Sequence, residues 1–310
     1  MSRKVAVLMG GWSPEREVSL VSGKACAEGL REGGHDVIEY DVKRDLRALV
    51  DFLRPQGGGG PDIVFNALHG RYGEDGCIQG ILEVLAMPYT HSGVLASAIA
   101  MDKPVARHIF TSIGMRVAPG MVLERRSLAF GDPMPRPYVV KPIDQGSSIG
   151  VHIVREGDNL AVVEAAEAAF GEKVLVEKFV PGRELTVAVL GDRAVAVTEL
   201  RPRTRFYDYE AKYTDGVTEH LVPAPVPADV YDLAKEWALS AHQALGCTGL
   251  TRTDLRWDDS LPGTSGLHVL EINTQPGMTP LSLAPEQAKW AGISWSELMT
   301  WMVDNARRPT

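Results

Sequence analysis

The chain has 310 residues, 45% of them hydrophobic, and a formal net charge of -8 at pH 7. This size allows two or three domains with hydrophobic cores, and the acidic balance argues against nucleic acid or an anionic membrane as a partner. No apolar run approaches the roughly 20 residues that span a bilayer, and the N-terminus lacks a signal-peptide pattern. Three scattered cysteines, interpreted as core residues, show no disulfide or zinc spacing, so we expect a cytoplasmic protein (Cys26, Cys77 and Cys247).

The first 95 residues alternate between strands and helices, which predicts an open parallel sheet. The apolar run at 4–9 is the first strand, and Ser13 is the predicted N-cap of a helix that ends at Gly33 and Gly34. Residues 35–40 and 62–68 supply two more strands.

The remaining sequence predicts mixed α/β structure, with strands, helices and one long polar segment. A Gly191-Asp192 pair between two apolar runs indicates a tight hairpin. The polar segment at 203–220 is too long for a simple connection and predicts a functional loop. Other predicted elements are strands at 138–142, 151–155, 174–180, 250–257 and 267–273, and helices near 158–170 and 227–245.

The segment LEINTQPGMT at 270–279 places Glu271 and Asn273 in an otherwise apolar strand. Alternate side chains share a strand face, so these oxygens point the same way, and Asp254 would join them if its strand pairs with theirs. Carboxylate and amide oxygens suit a hard ion such as Mg²⁺. The alternative is that both side chains face solvent on a half-exposed sheet. The Pro276-Gly277 turn, whose backbone amides could face an anion, favours the metal interpretation.

Phosphate is the usual companion of such an ion, but the sequence contains neither a P-loop nor a dinucleotide fingerprint. Instead, Lys141 and Lys178 stand at predicted strand ends, and the small-residue loop DQGSSIG at 144–150 lies between them. Backbone amides of such a loop can bind phosphates. Each feature alone has an ordinary alternative, a surface lysine or a flexible loop, and it is their combination that favours a nucleotide site.

Polar residues also follow strands of the N-terminal sheet. Glu15, His69 and Glu74 fall near the carboxyl ends of predicted strands, where open α/β sheets bind ligands. An ordinary hydrogen-bonded loop histidine remains the alternative for His69, and the role of Tyr213 is equally open from its surroundings alone.

Taken together, these motifs resemble the ATP-grasp enzymes and, within them, the D-alanine–D-alanine ligases of peptidoglycan synthesis. The similar segments follow one another along nearly the whole chain: GGWSPEREVSL, LHGRYGEDG, MDK, VVKPIDQGSSIG, VLVEKFVPGRELTVAVL, FYDYEAKY, TRTDLRW and LEINTQPGMTPLSL. The resemblance implies a three-lobed fold, α/β and α+β, with an N-terminal open parallel α/β domain. We expect a substrate-binding domain at 1–95, a central subdomain at 96–182, and a C-terminal subdomain with the metal ligands and lid at 183–310.

By this resemblance, the chain would ligate two D-alanines through a D-alanyl phosphate and a tetrahedral intermediate, releasing ADP and phosphate. Two Mg²⁺ or Mn²⁺ ions would be held by Asp254, Glu271 and Asn273. A monovalent cation is also compatible with the resemblance, and a homodimer is expected. ATP would contact a larger set of residues: Lys103, Lys141, Glu177, Lys178, Val180, Glu184 and Lys212.

The resemblance also implies roles for residues at the reacting groups. Glu15 and His69 would bind the first D-alanine, and Ser282 and Leu283 the second. Arg252 and the Gly277 amide would stabilise the oxyanion. Ser147 and Tyr213 would form a hydrogen-bonded set with Glu15 that closes the site, beneath a lid formed by FYDYEAKY. Tyr213 also favours an amine over D-lactate as the second substrate.

Two residues depart from the family pattern: Thr253, where an apolar residue is usual, and Gln275, where small residues are common. Both could alter local packing without removing a ligand. Another carboxylate–amine ligase of the same fold and a nucleotide-binding module without turnover are the competing hypotheses. The full N-terminal set argues against the first, and the complete metal, arginine and lid set argues against the second. The hypothesis of a dehydrogenase is rejected because the sequence contains no dinucleotide-binding fingerprint.

Overall fold

The computed structural model describes residues 2–146, 150–160, 171–202, 218–279 and 282–309. The predicted helix near 158–170 lies largely outside these ranges, as does most of the predicted lid at 203–220. In the described ranges, none of the helices has the length and apolarity that crossing a bilayer requires.

The N-terminal part is the predicted open parallel sheet. Its strand order is β2-β1-β3, and β1 pairs in parallel with both neighbours. As the inner strand, β1 buries nearly its whole length, which explains its continuous apolar run. The elements in chain order are β1 (Lys4–Gly10), α1 (Arg16–Glu32), β2 (Asp36–Val42), α2 (Leu46–Leu53), β3 (Ile63–Asn66) and α3 (Cys77–Val84).

The start of α1 differs from the prediction that Ser13 is its N-cap. Glu15 occupies the cap position, and α1 begins at Arg16. The Ser13 hydroxyl instead donates to the His69 carbonyl at 2.7 Å and accepts from the Glu15 N–H at 3.2 Å. Ser13 therefore joins the ends of β1 and β3, because its side chain finds a partner in a loop distant in sequence.

The central part is an antiparallel sheet of order β4-β7-β5-β6, with a small core of its own that includes Tyr138, Val140 and Val176. Two helices precede it, and Asp102 caps the second by accepting from the Val105 N–H at 3.0 Å. The elements are α4 (Val94–Met101), α5 (Lys103–Ser112), β4 (Gly120–Glu124), a 3₁₀ turn (Arg125–Phe130), β5 (Tyr138–Pro142), β6 (His152–Val154) and β7 (Lys173–Lys178).

The C-terminal part is a second antiparallel sheet, of order β10-β9-β8-β11-β12, and its β8–β9 hairpin turns at Gly191 as predicted. Ser294 and Glu297 form a capping box at the last helix. The elements are β8 (Arg183–Leu190), β9 (Arg193–Pro202), β10 (Thr218–Leu221), α6 (Ala228–Ala244), β11 (Leu250–Trp257), a 3₁₀ turn (Gly263–Gly266), β12 (Leu267–Asn273), α7 (Leu283–Trp290) and α8 (Trp295–Asp304).

Packing joins these parts across the predicted boundaries. Ala106 and Phe110 of α5 share a core cluster with Leu185 and Leu255 of the C-terminal sheet. Residues of β1 likewise pack with Met299 and its neighbours in α8. Because α5 belongs to the predicted central subdomain but shares a core with the C-terminal sheet, this packing does not define domain boundaries. The boundaries at 95 and 182 remain a prediction.

The cysteines divide between core and surface. Cys26 and Cys247 are buried as predicted, and their pKa values are raised by burial. Cys77 is exposed at the start of α3, so its interpretation as a core residue was wrong. The sequence around a single cysteine at the start of a helix does not predict whether its side chain is buried.

Candidate active site

A cleft of about 840 Å³, including its part open to solvent, lies between the central and C-terminal sheets. The chain passes from β7 to β8 at one end of it through residues 179–182. Residues expected at a nucleotide or metal from five separate stretches of sequence meet in this cleft: Lys103, Lys141, Glu177, Lys178, Val180, Glu184, Asp254 and Glu271.

The pairing of β11 with β12 brings the proposed metal ligands together. Asp254 lies directly opposite Glu271, and Arg252 lies directly opposite Asn273. Directly opposed residues of an antiparallel pair project on the same face. The register therefore supplies the strand pairing on which the metal hypothesis depends.

Both carboxylates at this position are paired with cationic side chains. The Arg252 guanidinium donates from Nε and Nη2 to the two Asp254 oxygens, each at 2.8 Å. The Thr186 hydroxyl donates to Asp254 Oδ1 at 2.7 Å, and Lys103 Nζ lies 3.5 Å from Glu271 Oε2.

This donor set fits magnesium. Among the described residues, His, Cys, Asp and Glu side chains form no cluster of three that could bind a metal alone. Mg²⁺ is commonly held by one or two carboxylates together with water and substrate phosphates. Two facing carboxylates, a nearby amide oxygen and a cleft with lysines match that mode of binding.

A buried group of three charges includes two residues that line the cleft, Glu177 and Lys141. Glu177 is 3% exposed and accepts from both Arg107 and Lys141. Burial lowers the pKa of Lys141 to about 7, nearby Lys103 and Arg107 add to the decrease, and Glu271 opposes it. Arg107 was not assigned a role from the sequence, although its spacing of four residues from Lys103 on α5 places both on one helix face.

Arg256 lines the cleft and was not assigned a role from the sequence. Its guanidinium donates to the carbonyls of Val180 at 3.2 Å and Gly182 at 3.0 Å, and to Glu184 Oε2 at 3.3 Å. It also lies 5.5 Å from the Phe179 ring centroid. Alternation along β11, two residues after Asp254, could have identified it.

The candidate residues of the N-terminal part, Glu15 and His69, lie at the carboxyl ends of β1 and β3. Glu15 and His69 are 4% and 6% exposed, and His69 Nε2 lies 3.1 Å from the Ser22 hydroxyl. Burial, assisted by the charge of Arg252, lowers the pKa of His69 to about 4. His69 is therefore neutral at pH 7.

Glu74 lies close to Glu15. Burial and the charge of Glu15 raise the pKa of Glu74 well above its usual value, although the Gly70 N–H donates to Glu74 at 2.5 Å. A Cβ built on Gly146 would approach Glu74 and Glu15 within 3.7 and 3.9 Å. Gly146, in the small-residue loop of the central sheet, therefore lies close to both carboxylates.

The turn after β12 contains the remaining described candidates. Ser282 precedes α7, and its hydroxyl accepts from the Thr279 N–H at 2.9 Å. A Cβ on Gly277 would lie 2.9 Å from Ser282 Oγ, so the two residues are neighbours. Leu283 is buried at the start of α7. Ser147, Lys212 and Tyr213 lie outside the described residues.

The two departures from the family pattern have different surroundings. The buried Thr253 hydroxyl has no hydrogen-bond partner within the described ranges, and nothing in the structure explains the choice of threonine there. Gln275 is 1% exposed, and its side chain makes two hydrogen bonds to the N-terminal part, with Asn66 and the Leu68 carbonyl.

Comparisons with known proteins agree with the fold and the cleft. Residues 121–304 match the family model for the D-ala D-ala ligase C-terminus, and residues 50–92 match the model for its N-terminus. A D-alanine–D-alanine ligase of Parvibaculum lavamentivorans is 53% identical over 307 residues, 98% of each chain. One of Gluconobacter oxydans is 55% identical over 305 residues, 98% of this chain and 99% of the relative.

Solved structures show the same architecture. The D-alanine–D-alanine ligase of Bacillus anthracis complexed with ATP has a TM-score of 0.80 at 27% identity, covering 98% of this chain and 97% of that one. The VanG D-Ala:D-Ser ligase of Enterococcus faecalis has a TM-score of 0.80 at 29% identity, covering 98% and 99%. The expected α/β ATP-grasp fold is confirmed, and the chain belongs to the D-alanine–D-alanine ligase family.

Proposed function

We propose that this chain joins two D-alanines into D-alanyl-D-alanine with release of ADP and phosphate, supplying a peptidoglycan precursor. As a member of its family, it is an ATP-dependent ligase. The observation that carries the assignment of the site is the opposition of Asp254 and Glu271 in a cleft that also contains Lys103 and Lys141.

ATP would lie in this cleft, with its phosphates toward Lys103 and Lys141 and its adenosine toward residues 177–184 and Lys212. Asp254, Glu271 and Asn273 would hold two Mg²⁺ or Mn²⁺ ions, which would offset phosphate charge during phosphoryl transfer. The carboxylate of the first D-alanine would attack the γ-phosphorus, and ADP would leave as D-alanyl phosphate forms. The lysines stabilise the charge that develops on the transferred group.

The first D-alanine would bind through its ammonium to Glu15. A neutral His69 favours this arrangement, because a histidine cation would repel the ammonium. The charge of Glu15 helps to raise the pKa of Glu74, and the arriving ammonium would favour the ionised form of Glu74.

The second D-alanine would place its carboxylate near Ser282 and Leu283. Its amine would attack the acyl phosphate carbon and lose a proton, and Arg252 with the Gly277 N–H would stabilise the tetrahedral oxyanion. The intermediate would then collapse by breaking the C–O bond to phosphate, which leaves the dipeptide and free phosphate. Arg252 must then exchange its contact with Asp254 for the oxyanion. Ser147, Tyr213 and the FYDYEAKY lid would close the site against water, since an acyl phosphate hydrolyses.

Phosphate release tests this function directly. The purified chain with ATP and Mg²⁺ is given D-alanine, L-alanine, D-alanine with D-serine, or D-alanine with D-lactate, and products are identified by mass. We expect phosphate release whenever D-alanine is present, no release with L-alanine, and D-alanyl-D-alanine as the main product. Preferred formation of D-alanyl-D-serine would assign the chain to the chemistry named for VanG, and no release with any carboxylate would favour a binding module.

The metal assignment has its own test. Asp254→Asn should raise the Mg²⁺ concentration for half-maximal activity by about 10- to 100-fold, as expected for a weakened ion site. Manganese binding to the enzyme–ADP complex, followed by electron paramagnetic resonance, should weaken in parallel. Unchanged manganese binding would remove Asp254 from the site.

Three further expectations belong to the same proposal. Light scattering after size exclusion tests for a homodimer, and cell fractionation tests for a cytoplasmic location. Limited proteolysis with and without ATP tests whether the chain divides near residues 95 and 182.

A further inference from the structure

Gln275 is a buried residue whose side-chain amide oxygen and nitrogen both form hydrogen bonds with the N-terminal part. Its Oε1 accepts from Asn66 Nδ2 at 2.8 Å, and its Nε2 donates to the Leu68 carbonyl. Its backbone N–H donates to Asn273 Oδ1 at 2.9 Å. One residue thus contacts the end of β3, the loop after it and a proposed metal ligand.

Asn66 connects this contact to the far end of the same loop. It is fully buried at the end of β3, and its second amide hydrogen is donated to the Gly73 carbonyl at 2.9 Å. Asn66 Oδ1 accepts from the Leu68 N–H at 3.2 Å. Gln79 Nε2 also donates to the Gly73 carbonyl, at 3.0 Å.

The loop held in this way is the one expected to bind the first amino acid. Leu68 and Gly73 lie next to His69 and Glu74 respectively, so both ends of the 69–74 segment are fixed beside its functional residues. On the other side, Gln275 lies between Asn273 and Gly277, a proposed metal ligand and a proposed oxyanion donor. Buried amides that satisfy each other set a single geometry, because an unpaired buried polar group is unfavourable.

We propose that Gln275 is a positioning residue that fixes the first-substrate loop relative to the turn bearing Asn273 and Gly277. The inference deepens the proposed function and rests on it. The acyl phosphate forms only if the carboxylate held by the N-terminal part meets the γ-phosphate held by the other two parts. Gln275 links these two halves of the reaction by hydrogen bonds that are shielded from water.

The first experiment compares wild type with Gln275→Met, which keeps the length of the side chain and removes both amide hydrogen bonds. We expect kcat/KM for D-alanine to fall about 10- to 100-fold, the scale at which misplacement of reacting groups acts. The Kd for ATP, measured without D-alanine, should stay within about twofold of wild type, since the nucleotide side is untouched. Calorimetry with D-alanine and ADP should show weaker amino-acid binding without turnover.

A matched control removes a different hydrogen bond between the same two parts of the chain. Trp295 Nε1 in α8 donates to the Ala25 carbonyl in α1 at 3.1 Å, away from the site. Trp295→Phe should lower the melting temperature and leave kcat/KM for D-alanine within about twofold of wild type. Gln275→Asn, a shorter amide that retains polarity, provides a second variant if Gln275→Met does not fold.

Coupling to Asn66 separates positioning from general destabilisation. Asn66→Ala should reduce kcat/KM for D-alanine, and the double variant with Gln275→Met should be little worse than the single variants, because both remove one connection. The inference is overturned if Gln275 variants lose stability but keep wild-type kinetics, or if the two effects multiply. Absence of dipeptide synthesis in the wild type would instead contradict the proposed function.

Discussion

The proposed first-substrate residues Glu15, His69 and Glu74, here called the amino-acid side, and the proposed nucleotide cleft balance the charge of buried carboxylates differently. In the cleft, buried carboxylates are paired with cations, as at Glu177 with Arg107 and Lys141. On the amino-acid side, burial shifts the groups toward their neutral forms, as the pKa values of His69 and Glu74 show. These charges are compatible with the proposed nucleotide and metal ions in the cleft and with the proposed binding of D-alanine on the amino-acid side.

The largest expected effect comes from Arg252, which lies where the two regions meet. Arg252→Met should lower kcat by about 100- to 1000-fold, the usual effect of removing an oxyanion donor. Steady-state kinetics and the Kd for ATP measure it, and ATP binding should change far less. Arg54→Met, which removes a surface arginine bonded to the Leu85 carbonyl, is the control. If the Kd for ATP rose by the same factor as kcat fell, Arg252 would act in the nucleotide site only.

The lowered pKa of Lys141 makes ATP binding pH-dependent. A free-enzyme pKa of about 7 leaves this lysine mostly neutral at pH 8, and the triphosphate favours its charged form. ATP binding should therefore take up about one proton at pH 8, and affinity should fall up to about 10-fold per pH unit above 7. Calorimetry in buffers of different ionisation enthalpy measures the uptake. Lys141→Arg, which does not titrate, should abolish it.

His69 should affect both acid stability and substrate binding. Its folded pKa of about 4 lies below the usual 6.5, so its contribution to stability is complete above pH 6.5 and is lost as pH falls toward 4. The slope is about 1.4 kcal/mol per pH unit in that window. The raised pKa of Glu74 acts in the opposite sense.

Denaturation of His69→Gln at pH 7, 6 and 5 should show that slope removed. His242, whose pKa burial also lowers to about 4, is the matched control. His242→Gln should flatten the slope equally without changing KM for D-alanine, whereas His69→Gln should raise KM for D-alanine. Equal kinetics in the two variants would exclude His69 from substrate binding.

The smallest expected effect concerns Arg256. Arg256→Met should weaken ATP binding by about 1 kcal/mol, roughly a 5-fold rise in Kd, because residues 179–184 lose their contact with β11. KM for D-alanine should not change. Arg136→Met is the matched control, since Arg136 also contacts one carboxylate, Asp132, and two carbonyl oxygens. Equal effects of both variants on ATP binding would show general destabilisation only.

Much of the fold follows from local patterns in the sequence. The apolar run of β1 and the alternation in β11 and β12 predicted strands at those positions, and Gly191 predicted the hairpin. Each depends on residues close together in the chain. Ser13 was assigned wrongly because its partner, the His69 carbonyl, lies far away in sequence.

The candidate site shows the same division. The same-face placement of Glu271 and Asn273 could be predicted from strand geometry, and their relation to Asp254 only conditionally, because strand register is not written in either strand alone. Arg107 and Gln275 were not assigned roles, since each acts through contacts with distant residues such as Glu177 and Asn66. Residue roles drawn from the family resemblance remain predictions.

The short connection from β7 to β8 has a consequence for engineering this enzyme. Lys178, Val180 and Glu184 all lie within residues 178–184, and Arg256 fastens that stretch through two carbonyls and a carboxylate. Most of the residues proposed to face adenosine therefore belong to one contiguous piece of sequence. Grafting that heptapeptide together with position 256 from a relative should transfer nucleotide preference as a unit, without redesign of the amino-acid pocket.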